Sequence, residues 1–170
     1  WGIPRSASGI LSTYGVGIHM RALQQIVAAL RANRRALAQP YYVPGLWVDH
    51  EHPPAQAVNP YDFYAEKIAA ICDQPAQPLI QGAGGAWTRY AIVYNLFPRV
   101  SAAFDHAQDG VLSIGSSPDG WRETGTLLKS IALLPYIRSL GINTVHLLPI
   151  TAVGQDGKKC TLGSPYGIRD

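Results

Sequence analysis

Cysteine is nearly absent from this sequence, and charge is thin. The two cysteines, Cys72 and Cys160, lie far apart and match no C-x-x-C metal or redox spacing, so two free thiols are the default reading. No apolar run approaches the roughly 18 residues a membrane-spanning helix needs, and no membrane span is expected. The chain opens at Trp1 without the charged-then-apolar leader of a secreted precursor, which leaves its compartment open. Charged residues make up only 15%, and the net charge is a mild +3. Nucleic-acid binders carry a denser basic face with aromatic or motif support. Arg31, Arg34 and Arg35 therefore read as a solvated helix face, with no nucleic-acid partner.

Several signatures of chemistry are missing as well. There is no G-x-S-x-G nucleophile elbow. Residues 150–161 (ITAVGQDGKKCT) follow an expected strand, but Ala152 stands where a phosphate loop needs its first glycine and Lys159 where it needs Ser or Thr. Gly82–Gly85 lacks the strand-before, helix-after context of a dinucleotide fingerprint. Asp49-His50-Glu51-His52 is the densest group of metal-ligand types, yet neighbours in a Pro-flanked loop rarely converge on one ion. A solvated loop and no metal site are expected there. His19, His106 and His146 are isolated, and His146, inside a strand, reads as a packing residue rather than a catalyst. Asp105 and Asp109 sit on a long loop, where a carboxylate is solvated or, in the sharper reading, faces a sugar.

What is present is an ordinary globular composition, 47% hydrophobic, with Gly 17 and Pro 13 promising many loops. Residues 1–13 read as a loop. Apolar residues then recur at Val16, Met20, Leu23, Val27, Leu30 and Leu37, one face of an amphipathic helix that Pro40 should stop. Residues 40–58 read as irregular. Asn59-Pro60 signals the start of a second helix, which should end near Asp73 and bury either Phe63, Ala70 and Ile71 or Tyr64, Ile68 and Ile71. Residues 82–86 (GAGGA) read as a flexible joint. The domain division expected is a helical region of unknown role over 1–88 and a second unit over 89–170.

The second unit has a different rhythm. Tyr90–Phe97 (YAIVYNLF) and Thr144–Ile150 (TVHLLPI) are β-rich apolar runs of the kind found in buried parallel strands. Between them, Thr126–Leu140 has helical periodicity, with Gly141 as its stop and Pro135 as an expected kink. Strand, helix and strand predict that residues 91–97 and 144–150 pair in parallel through a right-handed crossover.

Three segments of this unit, taken in order, resemble the opening of the α-amylase superfamily barrel (glycoside hydrolase family thirteen). Ile92–Arg99 (IVYNLFPR) resembles the family's first strand. Leu134–Ile150 (LPYIRSLGINTVHLLPI) resembles its first helix and second strand, and Gly163–Asp170 (GSPYGIRD) the segment that follows. The resemblance covers about half the chain and does not extend to residues 1–88. It implies an α/β fold, an incomplete TIM (β/α)8 barrel preceded by a helical N-terminal region. It also implies a retaining enzyme acting on α-glucosidic bonds of an α-glucan or oligosaccharide. By resemblance Tyr166 stacks on the sugar ring beside the cleaved bond. An aromatic face suits the apolar face of a pyranose. Asn95 stands where the family often has Glu and is given no role; Arg169 and Asp170 are given structural ones. The family's three catalytic carboxylates follow its fourth, fifth and seventh strands, and its calcium-binding region follows the third. No catalytic residue, metal ligand or cofactor is therefore assigned within these residues, and the chain alone is expected to be inactive. A non-catalytic carbohydrate-binding or regulatory protein, and a helical interaction module in residues 1–88, are the rival readings.

Overall fold

The computed structural model describes residues 7–48, 54–74, 83–155 and 163–167. Ala7–Ala32 form one helix, α1, so the loop expected over 1–13 gives way to helix from Ala7 onward. Gly9 and the nearby Ser and Thr each disfavour a helix by about 1 kcal/mol or less. Extending a helix already formed adds a hydrogen bond for each residue fixed, and that wins. The other end comes well before Pro40. Asn33 closes it, its backbone N–H and its side-chain amide both donating to the Ala29 carbonyl at 3.1 and 2.8 Å. Arg34 and Arg35 thus lie beyond the helix rather than on its face. Arg34 Nε donates to both carboxylate oxygens of Asp62 at 3.0 and 2.9 Å. Arg35 sits 5.9 Å from the Tyr61 ring centroid and donates to the Asp119 carbonyl at 3.1 Å.

The stretch expected to be irregular contains Tyr41–Val43 (β1) and Gln56–Val58 (β2), an antiparallel pair with Tyr42 opposite Ala57. The short helix Gly45–Val48 (α2) follows β1. Strands of three residues are too short to show alternation in a sequence. Pro40 and Pro44 bracket β1 without occupying it, the placement a strand tolerates. Helix α3, Pro60–Cys72, starts as expected: Asn59 Oδ1 accepts the Tyr61 N–H at 3.0 Å and proline takes the first helical position. Of the two candidate faces, the one through Tyr64 and Ile68 is buried, together with Tyr61, Phe63 and Ala65, whereas Ala70 is exposed. Of the flexible joint expected over 82–86, residues 83–86 instead open a 3₁₀ helix, Ala83–Tyr90; Gly82 lies outside the described residues.

Val93–Leu96 (β3) is followed by the short helix Pro98–Ser101 (α4), a long connection, helix α5 over Leu127–Ser139 and Thr144–Leu147 (β4). The Thr126 hydroxyl caps α5 by accepting the Lys129 N–H at 3.2 Å. Gly141, at φ +82°, follows its end. Pro135 lies inside α5, and the helix continues through it. Strands β3 and β4 pair in parallel, Val93 opposite Thr144 and Asn95 opposite His146, as the strand–helix–strand pattern predicts. Asn143 clamps their start: its Oδ1 accepts the Ile92 N–H at 2.9 Å and its Nδ2 donates to the Tyr90 carbonyl at 2.8 Å.

The barrel expectation is not met. The described residues form two separate two-stranded sheets, one antiparallel and one parallel, and the N-terminal region is not purely helical. A barrel wall bonds every strand to two neighbours; β3 and β4 each have one among the described residues. Helix α5 covers one face of the parallel pair, where Leu96 packs with Leu133 and Ile137. Val93, Asn95 and His146, on the other face, are exposed, so the strands are not the doubly buried ones expected.

Helix α5 is a shared wall. Its opposite side faces α3 and α1, where Leu128 and Ile131 pack on Val27, Ala65 and Ile68. A third cluster joins Tyr41, Val43, Phe63 and Tyr64 to Phe104 and Ala132, so residues on both sides of position 88 share one core. Tyr41 is its centre. It meets Phe104 and Trp121 edge-on, stacks on His106, and its hydroxyl lies 2.8 Å from that of Tyr64.

Asn59 makes two bonds across this assembly, the helix cap and an Nδ2 donation to the Arg35 carbonyl at 2.9 Å. Asn59→Ala should lower stability by about 1–2 kcal/mol. In urea unfolding the midpoint should fall at unchanged slope, and Asn59→Asp, which keeps the cap, should lose less. An unshifted midpoint for the alanine variant would show that the cap does not hold α3.

Candidate functional site

The connection from α4 to α5, residues 102–126, is held by a buried carboxylate that sequence reading passed over. Glu123 is only 3% exposed. Its Oε1 accepts the Ala107 N–H at 3.2 Å and its Oε2 the Ser113 N–H at 2.7 Å. Its backbone carbonyl accepts the Phe104 N–H at 3.0 Å and the Lys129 ammonium at 3.1 Å. Lys129 is itself buried, its Nζ 3.9 Å from the Phe104 ring centroid. Burial lowers the Lys129 pKa to about 8, against the opposing pull of Glu123.

His106 lies in the same cluster, stacked on Tyr41 with ring centroids 4.5 Å apart. Its Nδ1 is 3.8 Å from Glu123 Oε1, too far for a hydrogen bond. Burial lowers the His106 pKa more than Glu123 and the nearby aspartates raise it, so the ring is neutral and the contact is not an ion pair. His106 is therefore a core residue.

Asp105 and Asp109 are engaged by their own turn. Asp105 accepts the Gln108 and Gly110 N–H groups at 2.6 and 2.8 Å, and Asp109 accepts that of Val111 at 2.8 Å. These are turn bonds that let Gln108 and Gly110 hold positive φ. Desolvation pushes the Asp105 pKa upward, but the backbone N–H bonds outweigh it and hold the carboxyl below the ordinary value.

The far end of the connection closes a cleft. Gly125 donates its N–H to the Arg99 carbonyl at 2.9 Å. A β-carbon at Gly125 would overlap the Pro98 carbonyl, so only glycine allows this approach. The cleft beside it measures about 290 Å³. Phe97, Pro98 and Arg99 line it from the end of β3, Pro149, Ile150 and Thr151 from beyond β4, and Thr126 and Leu127 from the start of α5. Its position outside the carboxyl ends of parallel strands is where ligands enter open α/β sheets. The size is at the small end of ligand pockets, which run from roughly 300 Å³ upward.

Tyr166 stands on a short turn at the rim, next to Pro165, which lines the cleft. Its N–H donates to Ser164 Oγ at 3.3 Å, and Gly167 bonds back to the Ser164 carbonyl at 3.1 Å. The Tyr166 residue is 66% exposed. Among the described residues, two links hold the turn: Gly154 donates to the Gly167 carbonyl at 2.7 Å, and an Arg99 guanidinium N–H donates to the Gly163 carbonyl at 2.9 Å.

The chain matches no family model and no curated protein. The remaining sequence-derived candidates fall as follows. Asn95 Oδ1 and His146 Nδ1 lie 2.7 Å apart across the exposed face of the parallel pair, joining two residues the sequence left unrelated. The side chain of His19, the 49–52 cluster, Cys160, Arg169 and Asp170 lie outside the described residues, and Cys72 is a free thiol. No group of three or more metal-ligating side chains occurs among the described residues, and no described helix is long and apolar enough to cross a membrane. Arg99, Glu123, Lys129 and Arg122, which also lines the cleft, were missed. Only Arg99 gave a signal, its place just past a strand's carboxyl end.

The buried cluster makes stability depend on pH at both ends. His106 titrates below its ordinary 6.5 when folded, so the unfolded chain takes the proton first as pH falls, and stability drops below about pH 6.5. Lys129 loses its proton near pH 8 when folded but only near 10.5 when unfolded, so stability rises across that interval. Melting temperatures from pH 5 to 10 should show both slopes. His106→Phe, which keeps the stacked ring, should flatten the acid limb, and Lys129→Met the alkaline one. Limbs unchanged in these variants would assign the pH dependence elsewhere.

Proposed function

We propose that this chain supplies sugar-binding surface to a retaining enzyme of the α-amylase type, acting on the α-glucosidic bonds of an α-glucan or oligosaccharide. The observation that carries the reading is the exposed Tyr166 ring, on a turn fastened beside a cleft at the carboxyl ends of two parallel strands. An aromatic face with a hydroxyl at its edge suits a pyranose, whose C–H face is apolar and whose rim is polar. The three motif segments converge there, since residues 97–99, 149–151 and 165 all line the cleft.

Among the described residues, the lining of this cleft carries no Asp or Glu. Retaining cleavage needs two carboxyl groups about 5–5.5 Å apart. In this reading the chain holds sugar and the catalytic carboxyls, like any calcium ligands, belong to sequence outside these 170 residues. The same lack favours a second reading, a carbohydrate-binding protein without catalysis. The two differ in whether sequence joined to this chain carries the carboxylates. The parallel pairing of β3 with β4 counts against a helical interaction module with an unrelated tail.

The test is titration of the chain with maltotriose, followed by amide chemical shifts around Tyr166. Tyr166→Ala should weaken binding by about 2–12-fold, the range of one aromatic contact. Tyr166→Phe should lose less, because it keeps the face. The same preparation should not turn over a chromogenic α-glucoside. A folded Tyr166→Ala variant that binds like the unaltered chain would reduce Tyr166 to an exposed turn residue and sink the proposal.

A further inference from the structure

The cleft contains a residue that ties several of its segments together. Arg99 lies in α4, immediately beyond β3. Its carbonyl accepts the Gly125 N–H at 2.9 Å, which fixes the end of the long connection. Its guanidinium stands 5.0 Å from the Phe97 ring centroid and donates to the Gly163 carbonyl at 2.9 Å. Arg99 also lines the cleft. Strand end, connection and Tyr166 turn therefore meet on one side chain and its own backbone.

The turn needs such a tie. Residues 163–167 contain no strand or helix, and their internal bonds, from Tyr166 to Ser164 and from Gly167 to Ser164, shape the turn without placing it. Among the described residues, placement comes from outside, through Gly154 at one end and Arg99 at the other. The Gly154 bond joins two loops. The Arg99 bond joins the turn to the end of a strand, a far stiffer support. A planar guanidinium can stack on an aromatic face while its edge donates to a carbonyl; an ammonium cannot do both in the same geometry.

We propose that Arg99 is a positioning residue for sugar binding, which holds the Tyr166 turn beside the cleft by clasping the Gly163 carbonyl from the end of β3. This rests on the reading of Tyr166 as a sugar-stacking residue. Arg99 acts through Tyr166, so its contribution vanishes when the ring is gone.

The test is a double-mutant cycle on maltotriose binding by the whole chain, with Arg99→Met, Tyr166→Ala and the pair. Arg99→Met should weaken binding by about 2–12-fold, the size of the aromatic contact it places. Arg99→Met combined with Tyr166→Ala should be no weaker than Tyr166→Ala alone, because the two act as a unit. Arg99→Lys should recover part of the loss. Amide shifts of Gly163–Gly167 should move in Arg99→Met without sugar present. Should Arg99→Met not fold, Arg99→Lys carries the same cycle, with a smaller loss that again disappears in the Tyr166→Ala background. Losses that add in the double variant, or Arg99 variants that bind as tightly as the unaltered chain, overturn the inference and leave the Tyr166 reading intact. If the unaltered chain does not bind maltotriose, the sugar reading falls first and the positioning role with it, whatever the turn's amide shifts do.

Discussion

A buried carboxylate must be given donors, and the organisation of this chain follows from how Glu123 gets them. Removing an ionised group from water costs several kcal/mol unless hydrogen bonds replace the lost hydration. The donors for the Glu123 side chain are the backbone N–H groups of Ala107 and Ser113, which the connection can offer only by folding back on itself. The same residue's carbonyl draws in Phe104 and Lys129. Phe104 then lies against Tyr41 and Trp47, so one acidic residue decides where the aromatic core can form.

The core in turn sets up the cleft. Helix α5 can face α1 and α3 on one side and β3 on the other because its apolar positions run around much of its circumference, with Leu128 and Ile131 serving the first side and Leu133 and Ile137 the second. With α5 fixed, its capped start at Thr126 lies beside the ends of the parallel strands. The close contact of Gly125 with Pro98 brings the connection back to that place. The cleft thus follows from these packing choices, and Thr126, Gly125 and Pro98, which make two of them, line it themselves.

What the sequence made legible were features with local causes. Asn59-Pro60 announced α3, Thr126 and Gly141 bounded α5, and two β-rich runs around a helix foretold a parallel pair. Distant causes stayed hidden. Gly9 and its Ser and Thr neighbours read as a loop because the gain from helix propagation does not show at single positions. The β1–β2 ribbon is too short for any pattern, and Asn33 could not compete on paper with Pro40 as a helix stop. The barrel that the resemblance implied asks for two neighbours per strand, and each strand of the parallel pair has one among the described residues. Tyr166 stood out in the sequence through its motif, whereas Arg99 and Glu123 act through partners up to 64 and 19 positions away. A charged loop residue gives no hint of whether it will be buried.

The parallel pair has a consequence in time as well as in space. Asn95 and His146 face each other across 51 positions of chain. Closing a loop of that length costs entropy before any rung of the ladder repays it, although each doubling of length adds only about 0.6 kcal/mol. The bonds within 102–126 gather part of that length beforehand, so the search is shorter than the residue count implies. High contact order still makes this pairing a slow step compared with the docking of α1 on α3. A nascent chain would hold its helical half together first, and the cleft at the strand ends would be the last to mature.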